Sequence, residues 1–251
     1  MGLELRAIQS PIFSEPFDFT FHVQAFTLLV GSSGSGKSSL FQMIAQVSSL
    51  PYSGQVLIDG SEVSQLSIVE RVQKVGILFQ NPNHQFTMEN LFEELIFTLE
   101  NIGYHLQEID SKIAEVVQLD GPDSERNQRI FQALRYFDLE QAVDKSPYQL
   151  SGGQQKILQL LTILTSKASV ILLDEPFAGL DDRACHYFCK WIVEERNQGR
   201  SFLLISHRLD PLISVVDYWI EMTSQGLRHV KEVTITKPLT SQSSNTQGEV
   251  R

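Results

Sequence analysis

Residues 25–47 read AFTLLV, GSSGSGKSS, LFQMIAQV, running from Ala25 to Val47. An apolar run is followed by a glycine-rich turn and then by a segment with apolar residues at helical spacing, so the glycines sit where a buried strand becomes a helix. The turn itself, Gly31, Ser32, Ser33, Gly34, Ser35, Gly36, Lys37, Ser38 and Ser39, has the spacing Gly-x-x-x-x-Gly-Lys-Ser of a phosphate-binding loop, the Walker A motif. Small residues let successive backbone N–H groups face one centre, and the helix beginning at the loop's end adds its positive pole. Lys37 reaches β- and γ-phosphates as a point charge, and the Ser38 hydroxyl is a hard ligand suited to Mg²⁺. A flexible Ser/Gly linker is the rival reading, but a linker has no reason to be flanked by a core strand and an amphipathic helix.

Composition bounds the rest. The chain has 251 residues, 42% of them apolar, enough for one large domain or two small ones with a proper core. Thirty acidic against 20 basic residues give a net charge of −10, which argues against a surface built on nucleic-acid phosphate contacts. The two cysteines, Cys185 and Cys189, are too few for a disulfide framework and read as reduced, buried packing residues one helical turn apart rather than as a metal site. No secretory leader pattern opens the sequence, and the longest apolar stretches, Ile157 to Leu164 and Val170 to Leu173, are broken by Thr165, Ser166 and Lys167, so neither spans a bilayer.

Outward from the loop, Leu3 to Ile8 and Phe17 to Val23 alternate apolar and polar residues as half-buried antiparallel strands do. Between them the turn-rich stretch Pro11 to Pro16 carries Phe13, which either stacks on a base or packs beneath its own loop; Ile12 and Phe17 could fill the same place. Gln55 to Ile58, ending in Asp59-Gly60, reads as a strand and tight turn, and Val75 to Phe79 as a core strand with Gln80 at its tip, placed to touch a metal or a water. His84 reads as a surface residue. From Phe86 to Pro147 the pattern becomes helical, with helices expected at Glu89 to Gly103, Ile109 to Leu119 and Ser124 to Leu139, split by a Gly121-Pro122 turn; the acids of the first form a solvated face or a docking surface for a basic partner. Leu150 to Gln155, LSGGQQ, precedes a helix over Lys156 to Leu164 with Ser151 as its cap. Val170 to Leu173 is a fully apolar strand ending in Asp174, an outer Mg²⁺ ligand, and Glu175, placed to orient or deprotonate a water, unless the two merely cap a helix. Helix Ala184 to Arg196 and strand Ser201 to Ser206 follow, then His207, which either bonds a γ-phosphate or simply ends its strand. Asp217 to Met222 and Arg228 to Thr236 read as closing strands, and the polar tail beyond Pro238 as mobile.

In order and spacing these pieces resemble the ATPase subunit of ABC transporters over nearly the whole chain. Gly31 to Ser38 is similar to the Walker A motif, Gln80 to the Q-loop, Leu150 to Gln154 to the LSGGQ signature, Val170 to Glu175 to the Walker B motif, Gly179 to Asp181 to the D-loop and His207 to the switch histidine. The resemblance implies an α/β fold: a P-loop NTPase core of the ABC ATPase type with an N-terminal antiparallel β lobe and an inserted helical subdomain. It divides the chain into an ATPase domain over 1–236, made of 1–85, a helical subdomain at 86–149 and the remaining core at 150–236, with a tail at 237–251. Implied with it are ATP and Mg²⁺, catalytic roles for Glu175, His207, Lys37 and Gln80, and metal contacts from Ser38, Gln80 and Asp174. Nucleotide contacts would come from Gly31 to Ser39 and Phe13, and from Ser151, Gly152, Gly153, Gln154 and Asp181, the signature of one subunit capping ATP held by a second, homologous subunit, head to tail.

Around Gln80 the wording Phe79 to Phe86, FQNPNHQF, with a second glutamine at Gln85, is similar to the ATPases of energy-coupling factor importers of vitamins and transition-metal ions. That implies a transmembrane coupling subunit, a substrate-binding membrane subunit, and a peripheral position on the cytoplasmic face of the membrane, with no nucleic acid. Another ABC transport class, or a soluble ABC-type clamp on nucleic acid or ribosomes, are the alternatives. Three departures from the family pattern stand out: no clear tyrosine for adenine, Ser39 where threonine is usual, and no Pro-Gly turn before the strand at Ala25.

Overall fold

The computed structural model describes residues 2–81, 86–91, 93–95, 97, 132–142, 144–209 and 212–230. Two sheets organise them. A four-stranded antiparallel sheet takes β1 (Leu3–Gln9), β2 (Phe17–Thr20), β4 (Ser53–Ile58) and β5 (Ser61–Glu62) in the order β2-β1-β4-β5. A six-stranded sheet takes β3 (Phe26–Val30), β6 (Val75–Leu78), β7 (Val170–Asp174), β8 (Ser201–Ile205), β9 (Tyr218–Thr223) and β10 (Gly226–His229) in the order β10-β9-β3-β8-β7-β6. All its neighbours are parallel except β10 on β9. A mainly parallel sheet beside an antiparallel β lobe is the mixed α/β arrangement that the resemblance implies.

Why β3, β7 and β8 read as unbroken apolar runs is clear from where their side chains go. Successive residues of a strand point to opposite faces. Leu28, Ile171, Leu173, Phe202 and Leu204 enter one core, with α3 (Gly152–Thr165) and α4 (Asp182–Asn197). Their neighbours Leu29, Val170, Leu172, Leu203 and Ile205 enter the other, with α1 (Lys37–Ile44) and the β lobe. A sheet covered on both faces cannot alternate with polar residues. Each fully buried Leu or Ile contributes on the order of 2 kcal/mol, and the strand tips are thereby held as a rigid edge.

At Asp59 and Gly60 the tight turn is real, with φ of +52° and +76°, and it joins β4 to β5. The strand expected over Phe17 to Val23 stops at Thr20, and the closing strand expected from Arg228 begins at Gly226. A helix not anticipated, α2 (Ile68–Lys74), is opened by a capping box in which Ser67 accepts from the Glu70 N–H while the Glu70 carboxylate accepts from the Ser67 N–H. The signal, Ser-x-x-Glu, was present in the sequence. Helical backbone occurs at 91, 93–95, 97 and 132–136. The expected helix Ile109 to Leu119, the Gly121-Pro122 turn, His84, Gln85 and the tail lie outside the described residues.

Acids of the first expected helix divide. Glu89 and Glu93 face solvent, but Glu94 is buried and its carboxylate accepts from the backbone N–H groups of Thr87 and Met88, both at 2.9 Å. Cys185 and Cys189 are buried and unpaired in α4, as their spacing suggests, and burial pushes the Cys189 thiol up to about 12. Among the described residues no helix is long and apolar enough to cross a membrane.

Candidate functional site

The loop from Gly31 lies between the tip of β3 and the start of α1, beside the tips of β7 and β8. Its backbone is possible only for glycine at two places. Gly36 sits at φ +93°, and a Cβ there would lie 2.9 Å from Ile12; Gly31, at φ +158°, would put one 2.8 Å from the carbonyl of Met222. Gly36 is also the N-cap of α1 and supplies no side-chain cap. The first N–H groups of a helix have no acceptor within it, so this helix start is left open to an anion.

A cavity of about 330 Å³ opens on that helix start, lined by Ser33, Gly34, Gly36, Lys37, Ser38, Ser39, Gln80, Asp174, Glu175, Ile205 and His207. Lys37 folds back on the loop, its Nζ donating to the carbonyls of Gly31 at 3.0 Å and Ser32 at 2.9 Å. Asp174 ends β7, is buried, and bonds Ser38. Burial raises its carboxyl pKa, while the Ser38 hydrogen bond and the nearby Lys156, Lys37 and His207 oppose the rise. Glu175 follows in a left-handed conformation, φ +49°, pinned by its N–H to the Ile205 carbonyl. One carboxylate oxygen accepts from the His207 N–H at 3.2 Å. The other, Oε1, is buried without a hydrogen bond, 3.6 Å from the His207 ring. A carboxylate oxygen left so is costly unless a donor arrives, and the cavity is where one would come from.

These observations fit a nucleotide phosphate and a divalent cation. The open helix start, the lysine and the loop N–H groups suit phosphate oxygens, while the Ser38 hydroxyl, the Asp174 carboxylate and Gln80 form an all-oxygen donor set suited to a hard cation such as Mg²⁺.

Two sets of sequence-predicted residues stand apart. Phe13, expected as a partner for a base, is buried against Phe17 with ring centroids 4.5 Å apart, so it packs beneath its own loop and offers no face for stacking. Ile12 instead lies over Gly36 at the loop's outer side. Ser151, Gly152, Gly153 and Gln154 start α3 away from the cavity lining, and that start caps itself. Ser151 Oγ accepts from the Gln154 N–H at 3.3 Å, and the Gln154 side chain accepts from the Ser151 N–H at 3.0 Å. The glycines belong to the helix, which begins at Gly152 rather than Lys156. Asp181 is the N-cap of α4, accepting from the Ala184 N–H at 2.7 Å.

One nearby residue escaped the sequence reading. Lys156 is only 3% exposed, yet among the described residues no ion pair holds it; its Nζ donates to the Phe79 and Gln80 carbonyls, and burial lowers its pKa against the pull of Asp174 and Glu175.

A family model for the ABC transporter matches residues 15–178. Among curated proteins, the chain is similar to an ABC transporter ATP-binding protein of Pyrococcus horikoshii, 32% identical over 75% of this chain and 66% of that one. It is also similar to the energy-coupling factor transporter ATP-binding protein EcfA2 of Caldanaerobacter subterraneus, 27% identical over 82% of this chain and 67% of that one. The chain thus spans just under two thirds of the length of the Pyrococcus relative. Among solved structures, the ATP-binding subunit of an ABC transporter superposes with a TM-score of 0.74 at 19% identity, covering 92% of this chain and 90% of that one. A nucleotide-free ATP-binding cassette superposes at 0.65 with 23% identity, covering 90% and 89%.

Proposed function

Because the chain belongs to the ABC transporter family, we propose that it is the subunit that hydrolyses ATP to drive transport, working with a second ATPase subunit from the cytoplasmic face of the membrane. The observation that carries this reading is the cavity joining an uncapped helix start and a lysine on one side to Asp174, Glu175 and His207 on the other. Lys37 and the loop N–H groups hold the β- and γ-phosphates. Ser38, Asp174 and Gln80 would hold a Mg²⁺ ion, which would supply charge neutralisation at those phosphates. Glu175 Oε1, the buried oxygen with spare accepting capacity, takes the proton of a water lined up with the γ-phosphate, and His207 keeps that carboxylate in place. Ser151 to Gln154 and Asp181 lie outside the cavity, which suits a role against the nucleotide of the neighbouring subunit.

A second cavity, of about 540 Å³, supports docking to a membrane subunit. It is lined by α2, β6, the far part of α3 and residues Phe86, Thr87, Glu94 and Phe97, and Ile68 and Val69, 77% and 62% exposed, stand at its rim. Four apolar side chains left in water, Ile68, Val69, Val72 and Phe97, call for a covering partner. The described part of this groove is apolar rather than acidic, so its occupant is an amphipathic segment more than a basic one. The finer assignment, an energy-coupling factor importer of a vitamin or metal ion, rests on the FQNPNHQF wording and on the likeness to EcfA2.

Replacing Glu175 with Gln is the test. ATP binding stays within about threefold of wild type while hydrolysis falls by about 10²–10⁴-fold, as loss of a general base does, and dimers accumulate with ATP by light scattering. Undiminished turnover removes Glu175 from the role. Isolation of the tagged chain with its membrane partners from its own cells identifies the transport class.

A further inference from the structure

The antiparallel lobe meets the six-stranded sheet along β2 and β10. At one end of this seam Gly226 lets the strands close in, since a Cβ there would lie 2.7 Å from the Phe17 ring. At the other end four rings gather from both sheets. Phe19 of β2 and His229 of β10 have ring centroids 5.0 Å apart. His22, just beyond β2, stacks on Tyr218 of β9 at 3.7 Å with the planes 12° apart, and its ring centroid lies 5.2 Å from that of His229. His229 pairs in register with Ile220, which is buried in the core shared with the lobe, so both point to the lobe side of the sheet. Both histidines are exposed.

An imidazole differs from a phenyl ring in carrying a nitrogen lone pair, and two imidazoles held side by side are a chelating pair. Their spacing suits a single ion. A ligating nitrogen at about 2.0–2.1 Å puts its ring centre about 3.2 Å from the ion, and two rings at a tetrahedral angle then have centres about 5.2 Å apart. The Tyr218 stack and the Phe19 contact restrict the two rings before an ion arrives, which lowers the ordering cost of binding. Nearby carboxylates are engaged elsewhere, Glu221 with Arg228 and Asp217 with Arg196. Among the described residues no three histidine, cysteine or carboxylate side chains come together to hold a metal ion, so the pair is an open site of two protein donors. Imidazole donors favour Zn²⁺, Ni²⁺ or Cu²⁺ over Mg²⁺, which prefers oxygen.

We propose that His22 and His229 bind one divalent transition-metal ion of the Zn²⁺ or Ni²⁺ class, with water completing its shell, and that the ion clamps the antiparallel lobe to the β9–β10 edge of the core sheet. The site is separate from the phosphate cavity. Tyr218 begins β9 beside Thr27, at the start of β3, whereas the phosphate loop follows the opposite end of β3 at Val30. It does not depend on ATP hydrolysis. Because the two donors are 207 positions apart in the sequence and come together only in the folded chain, the ion binds and stabilises that state.

Zinc chloride alone, without nucleotide or Mg²⁺, is titrated into the full chain by calorimetry, and Tm is read in the same solutions. Wild type binds about one Zn²⁺ per chain through this pair, and Tm rises by about 5–10 °C at a hundredfold excess over Kd. His22→Phe and His229→Phe keep a ring in each place and remove the nitrogen donors. Each weakens Zn²⁺ at least about tenfold and abolishes the Tm rise, while Tm without metal stays within about 3 °C of wild type. Should a phenylalanine variant fail to fold, His22→Gln and His229→Gln give the same loss of Zn²⁺. Mg²⁺ in place of Zn²⁺ produces no rise, and His207→Ala keeps the full Zn²⁺ response because its ring belongs to the phosphate cavity. No binding by wild type up to about 1 mM Zn²⁺ overturns the proposal. So does a response that survives the variants at His22 and His229, or one that disappears in His207→Ala.

Discussion

Two helices of this chain begin with glycine-rich turns, and they begin in opposite ways. At α1 the N-cap is Gly36, which has no side chain to offer, and the surroundings are Lys37, Ser38, Asp174 and Glu175. At α3 the N-cap is Ser151 in a complete capping box with Gln154, and the turn faces outward. A helix start without a cap leaves N–H donors that a ligand must satisfy, whereas a self-capped one is stable as it stands and can wait for a surface brought to it. The contrast suits the proposed division between a site that holds its ligand alone and one that completes a neighbour's.

Predictions follow the same division. The largest effect belongs to the uncapped side, where Lys37→Ala removes the cavity's cation and lowers hydrolysis at least about 10³-fold in the native complex; an activity within tenfold of wild type would collapse the distinction. Gly36→Ala comes next. A side chain at φ +93° pressed on Ile12 costs about 1–3 kcal/mol of stability in chemical denaturation and distorts the loop. On the capped side Ser151→Ala costs about 1 kcal/mol, a Tm loss of roughly 2–4 °C, with the ATP affinity of its own chain unchanged. A large loss of affinity would place Ser151 in its own chain's site.

The smallest effect lies far from both starts. Cys189 has a thiol pKa raised by burial to about 12 from 9.0. The fold therefore keeps a proton that the unfolded chain releases, so stability is indifferent to this group below pH 9 and falls as pH rises above it. At pH 8 iodoacetamide should leave Cys189 unmodified in the native chain and label it on unfolding, as mass spectrometry would read.

How much of this was legible in the sequence depends on whether the information was local. The strand, turn and helix around Gly31 and the acidic tip of β7 could be read because strand periodicity and glycine spacing are local rules. Phe13 could not, since whether an aromatic in a loop stacks outward or packs on Phe17 is decided by a neighbour on a strand that the pattern does not position. α2 was written in the Ser67-Glu70 capping box but hidden by its apolar residues, which face solvent instead of a core. Lys156 stood in the sequence only as the expected first residue of a helix, and its meaning needed the carbonyls of Phe79 and Gln80, 77 and 76 positions away.

Equilibrium binding of ATP with Mg²⁺ to the purified full chain, by dialysis or calorimetry, bears most directly on the central claim that the cavity at Lys37, Asp174 and Glu175 holds a nucleotide. The expected result is saturable binding of about one ATP per chain that is lost in Lys37→Ala. Absence of binding, or binding that the Lys37→Ala variant retains in full, would contradict it.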